Sequence, residues 1–298
     1  MKNEKISVSV VVPAYNEAGA ITKTADEIHS VLSACPIVED YEIIVVDDGS
    51  SDETSEIAKS FKKTRVIRHP HNAGYGQSLK DGILEASFDT IVITDADFTY
   101  PFDEVPSLLE KYREGFDMVV GARTGPEYRE SYFKSPMRFL LKILVEFTVG
   151  RRVPDVNSGL RVFSREIAKR HFNQLSIRFS FTTSITVVYM LLNKFVVYVP
   201  IPYRSRIGKS KIRILRDSLI TLQYIILIIA NYHPIKIFIV IVLFLLLLSF
   251  ACIATGVFLG AATPIWLGVV GIMFSCVVFA LGLLADLLRQ ILALSLDD

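Results

Sequence analysis

Cysteine is scarce in this 298-residue chain, and one long stretch of it carries no charge at all. Of three cysteines, two (Cys252 and Cys276) stand in an apolar C-terminal region. That excludes the cysteine framework of a small secreted scaffold, and the lone Cys35 suits a reduced, cytosol-facing domain. An excess of either charge sign is also missing. The 32 Lys and Arg nearly cancel the 31 Asp and Glu, leaving +1, so nothing global draws the chain to nucleic acid. The N-terminal MKNEKISVSVVVPAYNE has only a short apolar run and no small-residue cleavage site, so it reads as a strand and not a signal peptide. Internal repeats and low-complexity tracts are absent. Ile, Val, Leu and Phe are plentiful, which excludes a disordered chain.

Charge is unevenly spread. The first 211 positions hold 55 of the 63 charged residues, and none lies between Ile237 and Ala285. Within that gap, Ile237–Leu259 gives 23 uncharged residues and Pro264–Ala285 gives 22. A bilayer core of ~30 Å takes about 20 helical residues, so both segments are expected to span. The link Gly260–Thr263 is a tight turn without Lys or Arg, while Lys236 and Arg289 flank the pair. The positive-inside rule then places both ends, and the N-terminal domain, in the cytoplasm. Asp286 is expected to pair with Arg289 at a helix end, and Gly256 with Gly260 offers a small-xxx-small face for a homo-oligomer. Two further segments suit helices lying in the headgroup plane: 133–149, mixing Phe139, Leu140, Ile143, Leu144 and Phe147 with basic residues, and a juxtamembrane helix within 212–232. For the first, amphipathic packing on the domain is an equal alternative. The expected organisation is a catalytic domain over 1–211, the juxtamembrane helix over 212–232 and a two-helix membrane region over 233–298.

The soluble part reads as an α/β domain. Ser7–Val12, Glu42–Val46, Arg65–Arg68, Thr90–Thr94 and Asp117–Val120 are Val/Ile-rich runs, hydrophobic enough for a parallel sheet buried on both faces. Between the first two, Ile21, Ala25, Ile28 and Leu32 share one face of a predicted helix. Ser50 and Glu53 form a capping-box pattern ahead of another helix, one more follows Gly76, and one spans Phe102–Arg113. Alternation of this kind predicts a doubly wound sheet. In such sheets ligands bind beyond the carboxyl ends of the strands. Those ends carry Pro13-Ala14-Tyr15-Asn16-Glu17, Asp47-Asp48-Gly49-Ser50-Ser51-Asp52 and Asp95-Ala96-Asp97.

Asp95 and Asp97, two apart as the chain leaves a strand, can point the same way. Carboxylates that close repel unless a cation lies between them. Mg²⁺ takes one or two carboxylates and completes its shell with water and substrate phosphate, so the pair suits a nucleotide-sugar diphosphate. Asp47 and Asp48 could accept hydrogen bonds from a base or ribose. As a bland alternative, DxD is a turn with an Asx cap and DDGS a helix cap.

In order along the chain, PAYNE, VVDDGSSDET, HNAGYG, DADFTYP, VGAR and DVNSGLRVF resemble the family 2 glycosyltransferases of GT-A fold, and more narrowly the polyprenyl-phosphate sugar synthases of the dolichyl-phosphate mannose and glucose synthase type. The resemblance covers about residues 7–211. It implies a GT-A, Rossmann-like mixed sheet, with Pro13, Tyr15 and Glu17 on the nucleotide and Asp47 and Asp48 on base and ribose. It implies Asp95 and Asp97 on Mg²⁺ or Mn²⁺. The family's further Gln ligand is replaced here by Thr99. It implies Arg123 and Arg138 on an acceptor phosphate, with Ser158, Gly159 and Arg161 from the SGxR element beside them. Arg206, Gly208, Ser210 and Lys211 of RxGxSK would close over the donor diphosphate. Independently, Val199–Arg216 carries six basic residues and no acid, a composition that serves phosphates or anionic headgroups.

The implied reaction is inverting transfer of a hexose from a UDP- or GDP-sugar to a polyprenyl phosphate, dolichyl or undecaprenyl, at the cytoplasmic membrane face. Asp97, Arg123, Arg206 and Lys211 are the expected catalytic group. Processive relatives carry QxxRW, whereas Trp266, the one tryptophan, lies inside a predicted span. The alternatives are nonprocessive transfer to a glycan or glycolipid hydroxyl, and a non-catalytic membrane scaffold that keeps a nucleotide-binding fold.

Overall fold

A computed structural model describes residues 5–125, 136–205 and 214–294. It divides into two compact units, residues 1–224 and 225–298.

The first unit is built on a seven-stranded sheet, ordered β3-β2-β1-β4-β6-β5-β7. The strands are β1 (Ile6–Ala14), β2 (Val38–Asp47), β3 (Thr64–Arg68), β4 (Thr90–Ile93), β5 (Met118–Thr124), β6 (Arg161–Ser164) and β7 (Val196–Pro202). The five expected strands all form. The central ones bury Val8, Val10, Val12, Ile43, Val45 and Val92 against helices, as their continuous hydrophobicity requires. Helix α1 (Ala18–Ala34) packs through Ile21, Ala25, Ile28 and Leu32, the face its spacing marks out. Helices α2 (Thr54–Lys59), α3 (Tyr75–Glu85) and α4 (Val105–Arg113) complete the alternation.

The sheet is mixed, as the GT-A resemblance implies and as the hydrophobic runs alone did not: β6 runs antiparallel to both neighbours, β4 and β5. β7 and the helices α6 (Arg165–Arg170) and α7 (Phe181–Leu191), which had no separate expectation, fill out the far half. From Phe181 to Met190 every residue of α7 is buried, so the helix lacks the amphipathic stripe that marks a surface helix in sequence. Finally, the Ser50–Glu53 capping box does not form. The Ser50 hydroxyl instead accepts the Asn16 backbone N–H at 2.9 Å, and Asp52 accepts from Thr54 N at 3.1 Å.

Helix α5 (Pro136–Val149) buries Val145 and Thr148 but exposes Phe139, Leu140, Ile143 and Phe147. Helix α8 (Ile214–Tyr232) follows β7.

In the second unit, α9 (Ile235–Leu259) and α10 (Ala262–Leu294) form a hairpin, and both are long and apolar enough to cross a membrane. Gly260 ends α9 in the left-handed conformation at φ 62°, where glycine has no Cβ penalty. Gly256 faces α10. A Cβ there would lie 2.6 Å from the Ile265 Cγ1. Within the hairpin, one glycine of the expected small-xxx-small face seats the partner helix and the other makes the turn. Asp286 pairs with Arg289 at 3.6 Å and accepts from Gln290 at 2.8 Å, the helix-end arrangement expected.

Candidate active site

Strand direction assembles the site. β1, β2, β3 and β4 run parallel, so the loops after Ala14, Asp47, Arg68 and Ile93 leave the sheet at one edge. β5 and β7 share that direction, which brings Arg123 and Tyr203 there. Because β6 is reversed, the segment 155–160 that enters it opens at the same edge.

The first two loops clasp each other. Asn16, at φ 52°, places its side-chain oxygen 2.8 Å from Ser51 N, and Glu17 N donates to Thr54 Oγ1 at 2.9 Å. Pro13 is buried in β1, while Tyr15 and Glu17 are partly exposed. Asp47 is fully buried. Its Oδ1 accepts Ser50 N at 2.8 Å, and its Oδ2 lies 3.5 Å from Arg68 Nε without a hydrogen bond among the described residues. Arg68 also lines a hollow with Gly49, Ser50, His69 and Pro70. Asp48 is occupied with the protein: it accepts from Ala73 N at 2.7 Å and Gly74 N at 2.9 Å and pairs with His69 Nδ1 at 2.8 Å. About three of a carboxylate's four acceptor positions are thereby filled, so Asp48 shapes the 69–74 loop.

Asp95 and Asp97 lie beyond β4. Asp97 is buried, and its Oδ1 accepts from Thr99 N at 3.2 Å and Thr99 Oγ1 at 2.6 Å. The Thr99 hydroxyl thus orients Asp97. Asp95 Oδ1 accepts the Tyr75 hydroxyl at 2.9 Å. Burial first, then the Asp95 charge, holds that phenol well above its ordinary pKa, so it stays a donor. Behind Asp95 lies Gly159, whose N–H donates to Tyr100 Oη at 2.6 Å. A Cβ on Gly159 would sit 2.9 Å from Asp95 Oδ1 and 3.0 Å from Oδ2, so only glycine leaves that carboxylate its place. Two carboxylates, all-oxygen and close in sequence, fit a hard divalent cation that keeps positions for water and phosphate. Among the described residues no third His, Cys, Asp or Glu joins them.

Arg123 grips Asp155 with two parallel bonds, Nε to Oδ2 at 2.7 Å and Nη2 to Oδ1 at 2.9 Å, and its guanidinium lies over the Tyr203 ring at 5.3 Å. Burial opposes the Asp155 charge, but Arg123 outweighs it and holds the carboxyl below its usual range.

Two expected acceptor contacts are corrected. Arg161 is fully buried and donates to Ser158 O at 2.7 Å, Val156 O at 2.9 Å and Thr186 Oγ1 at 2.6 Å. Ser158, also fully buried, donates to Gly121 O at 2.5 Å. Both brace the 155–160 segment from within the core and leave nothing turned toward a phosphate. Arg204, from the basic run, pairs with Glu27 and Asp103. Arg206, Gly208, Ser210 and Lys211 lie outside the described residues, as does the side chain of Arg138. Asp155, Tyr75, Tyr100 and Tyr203 were not singled out from sequence. The first three stand inside the motifs DVNSGLRVF, HNAGYG and DADFTYP, which was the available signal.

A mixed sheet with a carboxylate pair beyond its fourth strand is the arrangement expected of the GT-A fold. The model of Glycosyl transferase family 2 matches residues 9–172, and the chain belongs to that family. It is 31% identical over 229 residues to the undecaprenyl-phosphate 4-deoxy-4-formamido-L-arabinose transferase of Enterobacter sp. (strain 638), covering 73% of this chain and 65% of the relative, just under two thirds of its length. Among solved structures it resembles glucosyl-3-phosphoglycerate synthase from Mycobacterium tuberculosis in complex with Mn²⁺, UDP and glucosyl-3-phosphoglycerate, with TM-score 0.57 at 23% identity over 76% of this chain and 79% of that one. The same synthase with UDP gives TM-score 0.58 at 22% identity, covering 74% and 79%. At those identities the likeness is one of fold.

Proposed function

We propose that this glycosyltransferase moves a hexose from a UDP- or GDP-sugar to a polyprenyl phosphate, with inversion, at the cytoplasmic face of a membrane. The observation that carries the reading is the 155–159 segment. Its first residue, Asp155, holds Arg123, and its last, Gly159, backs Asp95. One short stretch of chain therefore joins an arginine suited to an acceptor phosphate to a carboxylate suited to the donor's cation. The undecaprenyl-phosphate relative supports the same acceptor class.

The carboxylates Asp47, Asp48, Asp52, Asp95, Asp97 and Asp155 are each hydrogen-bonded within the protein. A hydroxyl acceptor calls for a general base. A phosphate monoester, with a second pKa near ~6, is already an oxyanion at neutral pH. Its oxygen attacks the anomeric carbon as the bond from that carbon to the diphosphate oxygen breaks, and the diphosphate leaves with the electron pair. Asp95 and Asp97 would hold Mg²⁺ or Mn²⁺, which supplies positive charge to the leaving group. Arg123, with Arg138 from α5, would hold the acceptor phosphate. Arg206, Ser210 and Lys211 would bind the donor diphosphate, and Pro13, Tyr15, Glu17 and Asp47 the nucleoside. The exposed apolar face of α5 suits a headgroup-level helix, and the α9–α10 hairpin suits an anchor in the bilayer.

The test is a donor screen on the detergent-purified chain, pairing UDP- and GDP-hexoses with undecaprenyl or dolichyl phosphate. Labelled sugar should pass into organic solvent only with lipid phosphate and a divalent cation present. Label transferred to a glycan hydroxyl and not to lipid phosphate would overturn the reading.

A further inference from the structure

We propose that Tyr75 is a positioning residue that fixes the Asp95 carboxylate for cation binding, an inference that rests on the reading of Asp95 and Asp97 as the metal pair. The two residues are 20 positions apart, on different elements, and meet hydroxyl to Oδ1 at 2.9 Å. Tyr75 opens α3, and the residue before it, Gly74, has its N–H bound by Asp48 Oδ2 at 2.9 Å. The ring stacks on Phe179 with centroids 5.6 Å apart and planes 17° apart. The phenol is therefore held at its backbone and along one ring face before it reaches Asp95. Gly159 also comes so close to both carboxylate oxygens that a single added carbon would strike them. A carboxylate bonded by a hydroxyl and crowded by backbone has its choice of rotamer narrowed. The hydroxyl fills one of about four acceptor positions of that carboxylate. Groups that orient a metal ligand in this way typically contribute 10–100-fold in metal affinity.

This assigns a task to the tyrosine of HNAGYG that neither the nucleotide nor the acceptor reading requires. It also gives Asp48 a consequence at a distance: by fixing the 73–74 backbone, it sets where the phenol arrives.

The experiment is Mn²⁺ titration of the full-length chain in detergent with UDP present, read by the electron paramagnetic resonance of free Mn²⁺. UDP affinity without metal and Tm are measured alongside. Tyr75→Phe keeps the ring and its stacking and removes only the hydroxyl. It should weaken Mn²⁺ about tenfold, with metal-free UDP binding and Tm unchanged. Phe179→Leu, which leaves the hydroxyl but loosens its ring, should weaken Mn²⁺ to a smaller degree. Mn²⁺ affinity within about twofold of wild type in Tyr75→Phe would overturn the positioning role. An equal loss of metal-free UDP binding would overturn it too, since the whole site would then have shifted. If the wild-type chain binds no Mn²⁺, the metal reading itself fails, and the two failures are distinguished.

Discussion

Arg123 and Asp155 meet fork to fork, 2.7 and 2.9 Å apart across two parallel hydrogen bonds, with the Asp155 side chain only 2% exposed. Asp155 also accepts the Arg123 backbone N–H at 3.2 Å and that of Asn157 at 3.1 Å. The carboxylate thus fixes the end of β5 and the start of the 155–160 segment together. An arginine so held keeps its charge and direction, which is the preorganisation that recognition of a phosphate demands.

Removing one member of a buried pair strands the other, at a cost of about 3–5 kcal/mol. Asp155→Asn keeps the shape and removes the charge. It should lower the Tm of the purified chain by roughly 10 °C, at the ~2–4 °C per kcal/mol expected for a domain of this size. It should also raise the KM for lipid phosphate more than that for the nucleotide-sugar. A thermal scan and steady-state kinetics on both substrates check this. An unchanged Tm would mean that the ion pair does not hold the segment.

The same pair sets a pH dependence. Asp155's carboxyl lies below its ordinary value of 3.8 in the folded chain. Its contribution is then complete above that value and fades as the pH falls through the lower, folded one. Denaturant unfolding of the wild type should be insensitive to this group between about pH 5 and 7 and should weaken in stronger acid. Asp155→Asn should lose less stability than wild type over the acid range. Parallel acid curves for the two proteins would remove Asp155 from the account.

Thr99 gives a sharper probe of the proposed metal pair, Asp95 and Asp97, than removal of an aspartate. It donates both its N–H and its hydroxyl to Asp97 Oδ1. Thr99→Val preserves volume and the backbone bond and loses the 2.6 Å hydroxyl bond. The expected result is about tenfold weaker Mn²⁺ binding, with activity restored at high metal concentration. Asp97→Asn should remove transfer while leaving a folded protein. Activity of Thr99→Val that is insensitive to metal concentration would show that the hydroxyl does not govern Asp97.

Much of the first half of the sheet was legible because local pattern decides it. Ile21, Ala25, Ile28 and Leu32 mark a helix face by spacing alone, and the Val/Ile runs of β1, β2 and β4 are long and uninterrupted. The loops PAYNE, DDGS and DAD could be placed together once those strands were taken as parallel. What escaped depends on distant partners. β6 is four residues long, RVFS, and its reversed direction is implied only by the GT-A resemblance, since nothing within the strand encodes it. Ser50 and Glu53 have capping-box spacing, yet Asn16 N, 34 residues away, takes the hydroxyl. Arg161 belongs to a motif that suggests a ligand contact, but its bonds to Ser158, Val156 and Thr186 are core bonds that only the packing of α7 reveals. Asp155 resembles any loop acid until Arg123, 32 residues earlier, is brought to it.

The hairpin offers a prediction that separates internal packing from assembly. Gly256 lets α10 approach until Ile265 lies where a side chain would otherwise stand, and a Cβ there would also come within 2.9 Å of the Ala261 carbonyl oxygen. One of those neighbours is backbone, which cannot rotate away. A larger residue must therefore push the helices apart, and overpacking of this kind costs about 1–3 kcal/mol. Gly256→Leu should lower the thermal stability of the membrane unit and loosen the hairpin, read as faster cross-linking exchange between cysteines placed on α9 and α10. If the glycine served instead as a contact between copies, Gly256→Leu would change the oligomer distribution in light scattering and leave intrachain cross-linking untouched. The close approach of Ile265 within one chain favours the first result.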